Sequence, residues 1–443
     1  MGPHITSPQY NFYPGCWSNI WVIWLLVWNW LPQEAVVIFI SGGDDALEFG
    51  VGAGSGGAGA VDRRRLRTKT LAKVSVYKYE FLRTFTRGPS VPSGGWLSRW
   101  HFLYTWSSRQ QGGSKNSHLM QAVLVFDSGG SDWTHYDWSK ITTIVAFGKY
   151  DRELLCHAHA NNVRVVLKAT IAQHNLLNRN KRAVWIKRKI LLARKQFMDG
   201  INMEIWETDT PGSEHYHAVS QLVEEATQIF HREIPGSQVT FNVPWTPDCT
   251  IGRCYDYAAI ANSCDFLFVM SYDMHRGILD DCIAKPNAPY NQTLSGLSAY
   301  INLGIDSRKL VMGVPWYGYD YTCQRFFEAG GCDLTTFHLN KSTCSFRASR
   351  WIPYKEVMKR LPKSITGRYW DDSHKAPYYI YMVNNTHHEV WYDDPESISI
   401  KSSILKKLNL RGIGVWIGNF LNYSTYPAAT MQTEEMWYAL HSA

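Results

Sequence analysis

The chain has 443 residues, of which 45% are hydrophobic and 19% charged, with a formal net charge of +7. That balance excludes a mainly disordered or collagen-like chain, and the length accommodates an α/β barrel of about 250 residues or more. The charge does not make the whole chain a nucleic-acid binder. Residues 1–118 carry 12 basic and 6 acidic side chains, and the other 325 residues carry 33 and 32.

The first apolar run, residues 20–28, lies in a segment at 17–31 that has the length of a signal-peptide core. It is too short for a membrane span of about 20 residues, and no stable membrane insertion is expected. No Lys or Arg precedes it, so it is atypical as a signal. The glycine-rich tract 50–60 offers almost nothing to bury, and the basic run 63–67 after it reads as a solvated tail. Residues 1–118 are therefore expected to be an atypical basic extension, disordered or attached by a misjoined gene model.

Residues 119–443 change character. Short runs rich in Val, Ile and Phe recur at 122–126, 141–147, 163–167, 200–206, 239–243, 266–270, 310–314 and 412–416. Between them, 181–198 and 217–232 carry apolar residues at three- and four-residue spacing, the mark of helices packed on one face. Eight strands alternating with helices predict a (β/α)8 TIM barrel. The stretch 315–411 between the last two strands is too long for one crossover. Its strand-like pieces at 378–382 and 389–392 predict a small α+β insertion at the barrel mouth.

Eight of the nine cysteines lie in this body: Cys156, Cys249, Cys254, Cys264, Cys282, Cys323, Cys332 and Cys344. An even number suits up to four disulfides in an oxidising compartment. Four glycosylation sequons, at Asn291, Asn340, Asn384 and Asn422, favour the same secretory route. The cysteines and the 16 histidines show no metal-ligand spacing, so no metal, no cofactor and no nucleic-acid partner is expected.

The fourth strand reads Met198-Asp-Gly-Ile-Asn-Met-Glu-Ile-Trp-Glu207. Side chains alternate along a strand. Ile201, Met203 and Ile205 are expected to face the helices, with Asn202, Glu204 and Trp206 pointing into the barrel and Trp206 nearest the mouth. Buried polar residues there need partners or a task. The strand resembles the Asp-Gly-x-x-x-Asp-x-Glu motif of family 18 glycoside hydrolases, the chitinase family. Met270-Ser-Tyr-Asp273, Gly313-Val-Pro-Trp-Tyr-Gly318 and Trp416 agree with it, as do Phe147-Gly-Lys-Tyr-Asp151 and Leu410-Arg-Gly-Ile-Gly414. The resemblance covers about residues 120–440.

It implies a lysosomal or secreted monomer that cleaves the β-1,4 linkage between N-acetylglucosamine residues, as in the chitobiose core of free asparagine-linked oligosaccharides. The implied mechanism is substrate-assisted and retaining. A glutamic acid protonates the glycosidic oxygen while the substrate's own acetamido oxygen attacks the anomeric carbon. On this pattern Glu204 takes the place of the acetamido-orienting aspartate and Trp206 that of the acid. Tyr272, Asp273 and Trp416 fall on sugar-binding positions, with Asn202 lining the strand. Asp199 is counted with them by motif, or else serves the helix-to-strand turn or pairs beneath Glu204. Trp316 and Tyr317 read as sugar contacts or as core.

An indole N–H does not ionise usefully and cannot act as a general acid. Trp206 is also expected to crowd the scissile bond. Glu207 replaces the acid only if a bulge rotates it inward, because a regular strand puts it on the opposite face. Two readings follow: a glycosidase of impaired activity, or a non-hydrolytic protein that binds chito-oligosaccharides.

Overall fold

A computed structural model of the chain describes residues 121–206, 210–249, 253–274, 282–327, 331–338, 341–344 and 349–441, together with strands at 25–27, 36–43 and 46–53. These three strands, Leu25–Val27, Val36–Gly43 and Ala46–Ala53, form an antiparallel sheet within the unit Met1–Trp96. The glycine tract expected to lack regular structure begins inside the third of them, where Gly50 and Gly52 pair with Phe39 and Val37. The remainder of the expected extension lies outside the described residues.

The unit Leu97–Ala443 contains the barrel. Its strands are β1 (Ala122–Asp127), β2 (Thr143–Ala146), β3 (Arg164–Ala169), β4 (Gly200–Met203), β5 (Gln238–Pro244), β6 (Phe266–Met270), β7 (Leu310–Pro315) and β8 (Gly412–Trp416). Each pairs in parallel with the next, and β8 closes on β1. The (β/α)8 barrel read from the sequence is the observed fold. Its helices include Arg179–Lys195, capped by the Asn178 side chain, and Glu214–Glu233, capped by Ser213.

Alternation divides the core. Val123, Val125, Ile201, Met203, Ile205, Phe241 and Val243 belong to the cluster shared with the helices. Leu124, Phe126, Val145, Val166, Phe266, Phe268 and Val311 fill the barrel interior. Phe268 fits there because its neighbours are glycines. A Cβ on Gly313 or Gly414 would approach its ring to 2.7 or 2.8 Å. Gly200, the second residue of the fourth-strand motif, is fixed in the same way, since a Cβ would lie 1.9 Å from the Gln238 carbonyl oxygen.

The insertion is a five-stranded antiparallel sheet in the order Ser349–Pro353, Tyr317–Thr322, Thr386–Trp391, Ala376–Val383, Tyr369–Asp371. The helix Tyr354–Arg360 packs on it through buried Tyr354 and Val357, and the Tyr379 hydroxyl donates to the Val357 carbonyl. Disulfides join Cys249 to Cys254 and Cys323 to Cys332. Cys264 corrects the cysteine arithmetic: it is a free, buried thiol, so the eight body cysteines do not all pair. Burial pushes that thiol up to about 12, which keeps it protonated and inert. Among the described residues no helix is long and apolar enough to cross a membrane.

Candidate active site

The C-terminal ends of β4, β6 and β8 bring together most of the residues singled out by motif. Asn202 is fully buried inside the barrel, where its amide donates to Thr240 Oγ1 and Asn242 Oδ1, both at 2.8 Å. Glu204 stands above it, 1% exposed, with its backbone N–H bonded to the Ala169 carbonyl. Its carboxylate lies between two cations: Lys168 Nζ on β3 at 3.6 Å and Arg253 Nη1 after β5 at 4.0 Å. Neither distance is a hydrogen bond, and Glu204 Oε2 has no hydrogen-bond partner among the described residues.

Tyr272 is buried beside this carboxylate, and its hydroxyl also lacks a partner. Burial first, then the Glu204 and Asp273 charges, push it well above the ordinary tyrosine range, so it stays a neutral donor. Asp273, at φ 58°, accepts from the Tyr317 and Tyr319 hydroxyls, both at 2.7 Å, and donates its backbone N–H to Asn287 Oδ1. Tyr317 is thus part of the site, whereas Trp316 is core, fully buried edge-on to Trp437.

Trp416 ends β8. Its ring stacks on Phe147 at 5.3 Å and 11°, with Phe126 at 5.2 Å and Tyr272 at 6.5 Å. Lys168 Nζ lies 4.7 Å from the Phe147 ring centre and 5.8 Å from that of Trp416. Just beyond, Asn419 ties the end of β8 to that of β1, accepting from the Ser128 backbone and hydroxyl and donating to the Gly129 carbonyl. The rigid indole face at the barrel mouth suits the apolar face of a pyranose.

Two expectations change. Asp199 is not at this site. It sits before β4, accepting from the Val165 N–H at 2.7 Å and bonded to His159 Nε2 at 2.8 Å. It does not pair beneath Glu204; it fastens the helix-to-strand turn. Trp206 does not fill the barrel either. The β4 ladder ends at Met203, so alternation no longer governs the ring, which is 58% exposed. The Arg253 guanidinium lies 3.7 Å from its ring centre. Glu207, the candidate substitute acid, lies outside the described residues.

Three contributors were absent from the motif reading. Lys168 was accessible to it: two residues beyond inward-facing Val166, alternation puts it at the mouth. Arg253 and Tyr319 arrive from a loop and from the insertion, where no period places them.

Comparisons with known proteins fit this geometry. The profile of Glycosyl hydrolases family 18 matches residues 100–418. The chain is 50% identical over 319 residues to di-N-acetylchitobiase of Homo sapiens, covering 72% of this chain and 83% of that protein. It is 33% identical over 337 residues to probable di-N-acetylchitobiase 2 of Dictyostelium discoideum, covering 73% and 86%. Among solved structures, Ostrinia furnacalis Group IV chitinase in complex with allosamidin superposes with a TM-score of 0.60 at 17% identity, covering 73% and 98%. That likeness speaks to the fold.

Proposed function

The chain belongs to glycosyl hydrolase family 18, and from that premise we propose that it binds chitobiose-type oligosaccharides at the barrel mouth and hydrolyses them poorly or not at all. The family binds N-acetylglucosamine oligosaccharides, and the relatives named di-N-acetylchitobiase support the chitobiose unit as ligand. Trp416 offers a floor for one sugar ring. The free Tyr272 hydroxyl offers a donor to an acetamido oxygen, and Glu204 occupies the place from which a carboxylate orients the acetamido N–H and balances its developing positive charge.

The observation that carries the reading is Trp206 at the position of the proton donor. Its indole supplies a hydrogen bond but no proton for the leaving oxygen. Losing general acid catalysis costs about 10²–10⁴-fold. Glu204 is two residues deeper, roughly 6.6 Å along a strand, and does not reach that oxygen. The disulfides Cys249–Cys254 and Cys323–Cys332 support passage through an oxidising secretory compartment, consistent with a lysosomal destination.

The test is release of N-acetylglucosamine from N,N′-diacetylchitobiose, compared with the human relative under the same conditions. The expected rate is at least about 100-fold lower. A comparable rate overturns the reading and favours Glu207 as a working acid.

A further inference from the structure

The exposed indole at the end of β4 calls for an explanation of its own. An aromatic ring that replaces a proton donor loses the reaction, but it does not follow that the ring is idle. The backbone leading into Trp206 is anchored: the Glu204 N–H bonds to the Ala169 carbonyl, and the Tyr255 hydroxyl donates to the Ile205 carbonyl at 2.7 Å. These two bonds fix the backbone just before the ring. One face of the indole is covered by the Arg253 guanidinium at 3.7 Å. The residue as a whole is 58% exposed.

The arginine beneath the ring is itself unusual. Its side chain is 7% exposed, yet Nη1 has no hydrogen-bond partner among the described residues, and the Glu204 carboxylate stays 4.0 Å away. A guanidinium stacked on a ring keeps its N–H groups in its own plane, parallel to the ring. Here a buried arginine backs the exposed indole and adjoins the Glu204 carboxylate, whose charge also acts on Tyr272.

We infer that Trp206 is a sugar-stacking platform for the second pyranose of a chito-oligosaccharide, with the Arg253 guanidinium backing the ring from the other face. The inference rests on the reading of the barrel mouth as an N-acetylglucosamine site and adds a task for the residue that removes the chemistry. One ring lies on Trp416 and the next meets Trp206, where the acid of an active relative would stand. The site then retains both sugars instead of separating them. A pyranose presents an apolar face of C–H bonds, and an indole already packed on a guanidinium loses less freedom on binding it than a fully solvated one would.

Crowding and stacking predict opposite signs when the ring is removed, and the intact chain suffices to decide between them. Calorimetry would compare N,N′-diacetylchitobiose with N-acetylglucosamine, using the natural chain, Trp206→Phe and Trp206→Ala. Stacking predicts that Trp206→Ala weakens the disaccharide about tenfold, that Trp206→Phe keeps most of the affinity, and that the monosaccharide is unaffected. Because the ring is exposed, the substitution leaves the fold intact, and unchanged monosaccharide affinity verifies this. Equal or tighter disaccharide binding by Trp206→Ala overturns the platform and leaves the sugar site standing. Failure of the natural chain to bind either sugar overturns both.

Discussion

Two buried carboxylates in this molecule are treated in opposite ways. Asp320, in the insertion sheet, is 2% exposed and fully engaged. Its Oδ2 accepts from Arg360 at 2.7 Å, Tyr381 at 2.8 Å and Arg350 at 3.1 Å, and its Oδ1 contacts His388 Nδ1 at 3.0 Å. Glu204, at the barrel mouth, is as deeply buried but meets its two cations only at 3.6 and 4.0 Å. Around it the Tyr272 hydroxyl, Asn202 Oδ1, Asn242 Nδ2 and Arg253 Nη1 all lack hydrogen-bond partners among the described residues. Native interiors satisfy nearly all such groups, so a cluster of exceptions marks a place shaped for something else. Asp320 holds a sheet together, whereas the groups around Glu204 are, on the proposed reading, the ones that meet the sugar.

The largest expected effect tests the chemistry at the second region. Trp206→Glu combined with Glu204→Asp returns both carboxylates of the motif to this strand. If the remaining pocket is sound, N-acetylglucosamine release should rise by about 10²–10⁴-fold over the natural chain. A double variant that stays inactive would show that Lys168 or Arg253 has reshaped the pocket beyond the two replaced positions.

Next in size is the first region. Asp320→Ala strands Arg360, Tyr381 and His388 around an uncompensated site. The expected loss is about 3–5 kcal/mol, read as a fall in the urea midpoint. Because Asp320 is far from the sugar positions in role, affinity for N-acetylglucosamine measured well below that midpoint should not change.

The contrast also explains what could be read from the sequence. Barrel strands, buried on both faces, announce themselves as short continuous apolar runs, and all eight were legible. So was the inward placement of Asn202 and Glu204, because both sit where ladder pairing enforces alternation or has just ended. Trp206 broke the pattern because it lies three residues past Met203, where a guanidinium from another loop decides its position. The Asp320 cluster was invisible for a related reason. Its partners come from positions 350, 360, 381 and 388, brought together by the antiparallel register of the insertion and by the helix Tyr354–Arg360 packed on it.

A third carboxyl lies between the extremes. Glu389 is 3% exposed and accepts from Trp391 Nε1. Burial raises it from 4.5 to about 7, against the smaller opposing pull of that N–H. Between these values the folded chain keeps a proton that the unfolded chain has lost, so stability falls as pH rises through this window. Glu389→Gln should remove that slope. The variant is expected to be more stable by up to about 3 kcal/mol at pH 8 and unchanged near pH 4, measured by denaturant melts at both. An unchanged slope would assign the proton elsewhere.

The smallest effect belongs to Glu204, and it separates the two regions most sharply. Glu204→Gln keeps the shape and removes the charge. Since the carboxylate makes no close hydrogen bond to Lys168 or Arg253, the stability cost should be about 1 kcal/mol, well below that of Asp320→Ala. Affinity should respond instead. The variant loses the negative charge that faces an acetamido N–H and should bind N,N′-diacetylchitobiose several-fold more weakly, by roughly 1 kcal/mol. A large loss of stability with unchanged affinity would reverse the assignment, making Glu204 a structural ion like Asp320 and returning the unpartnered groups around it to the core.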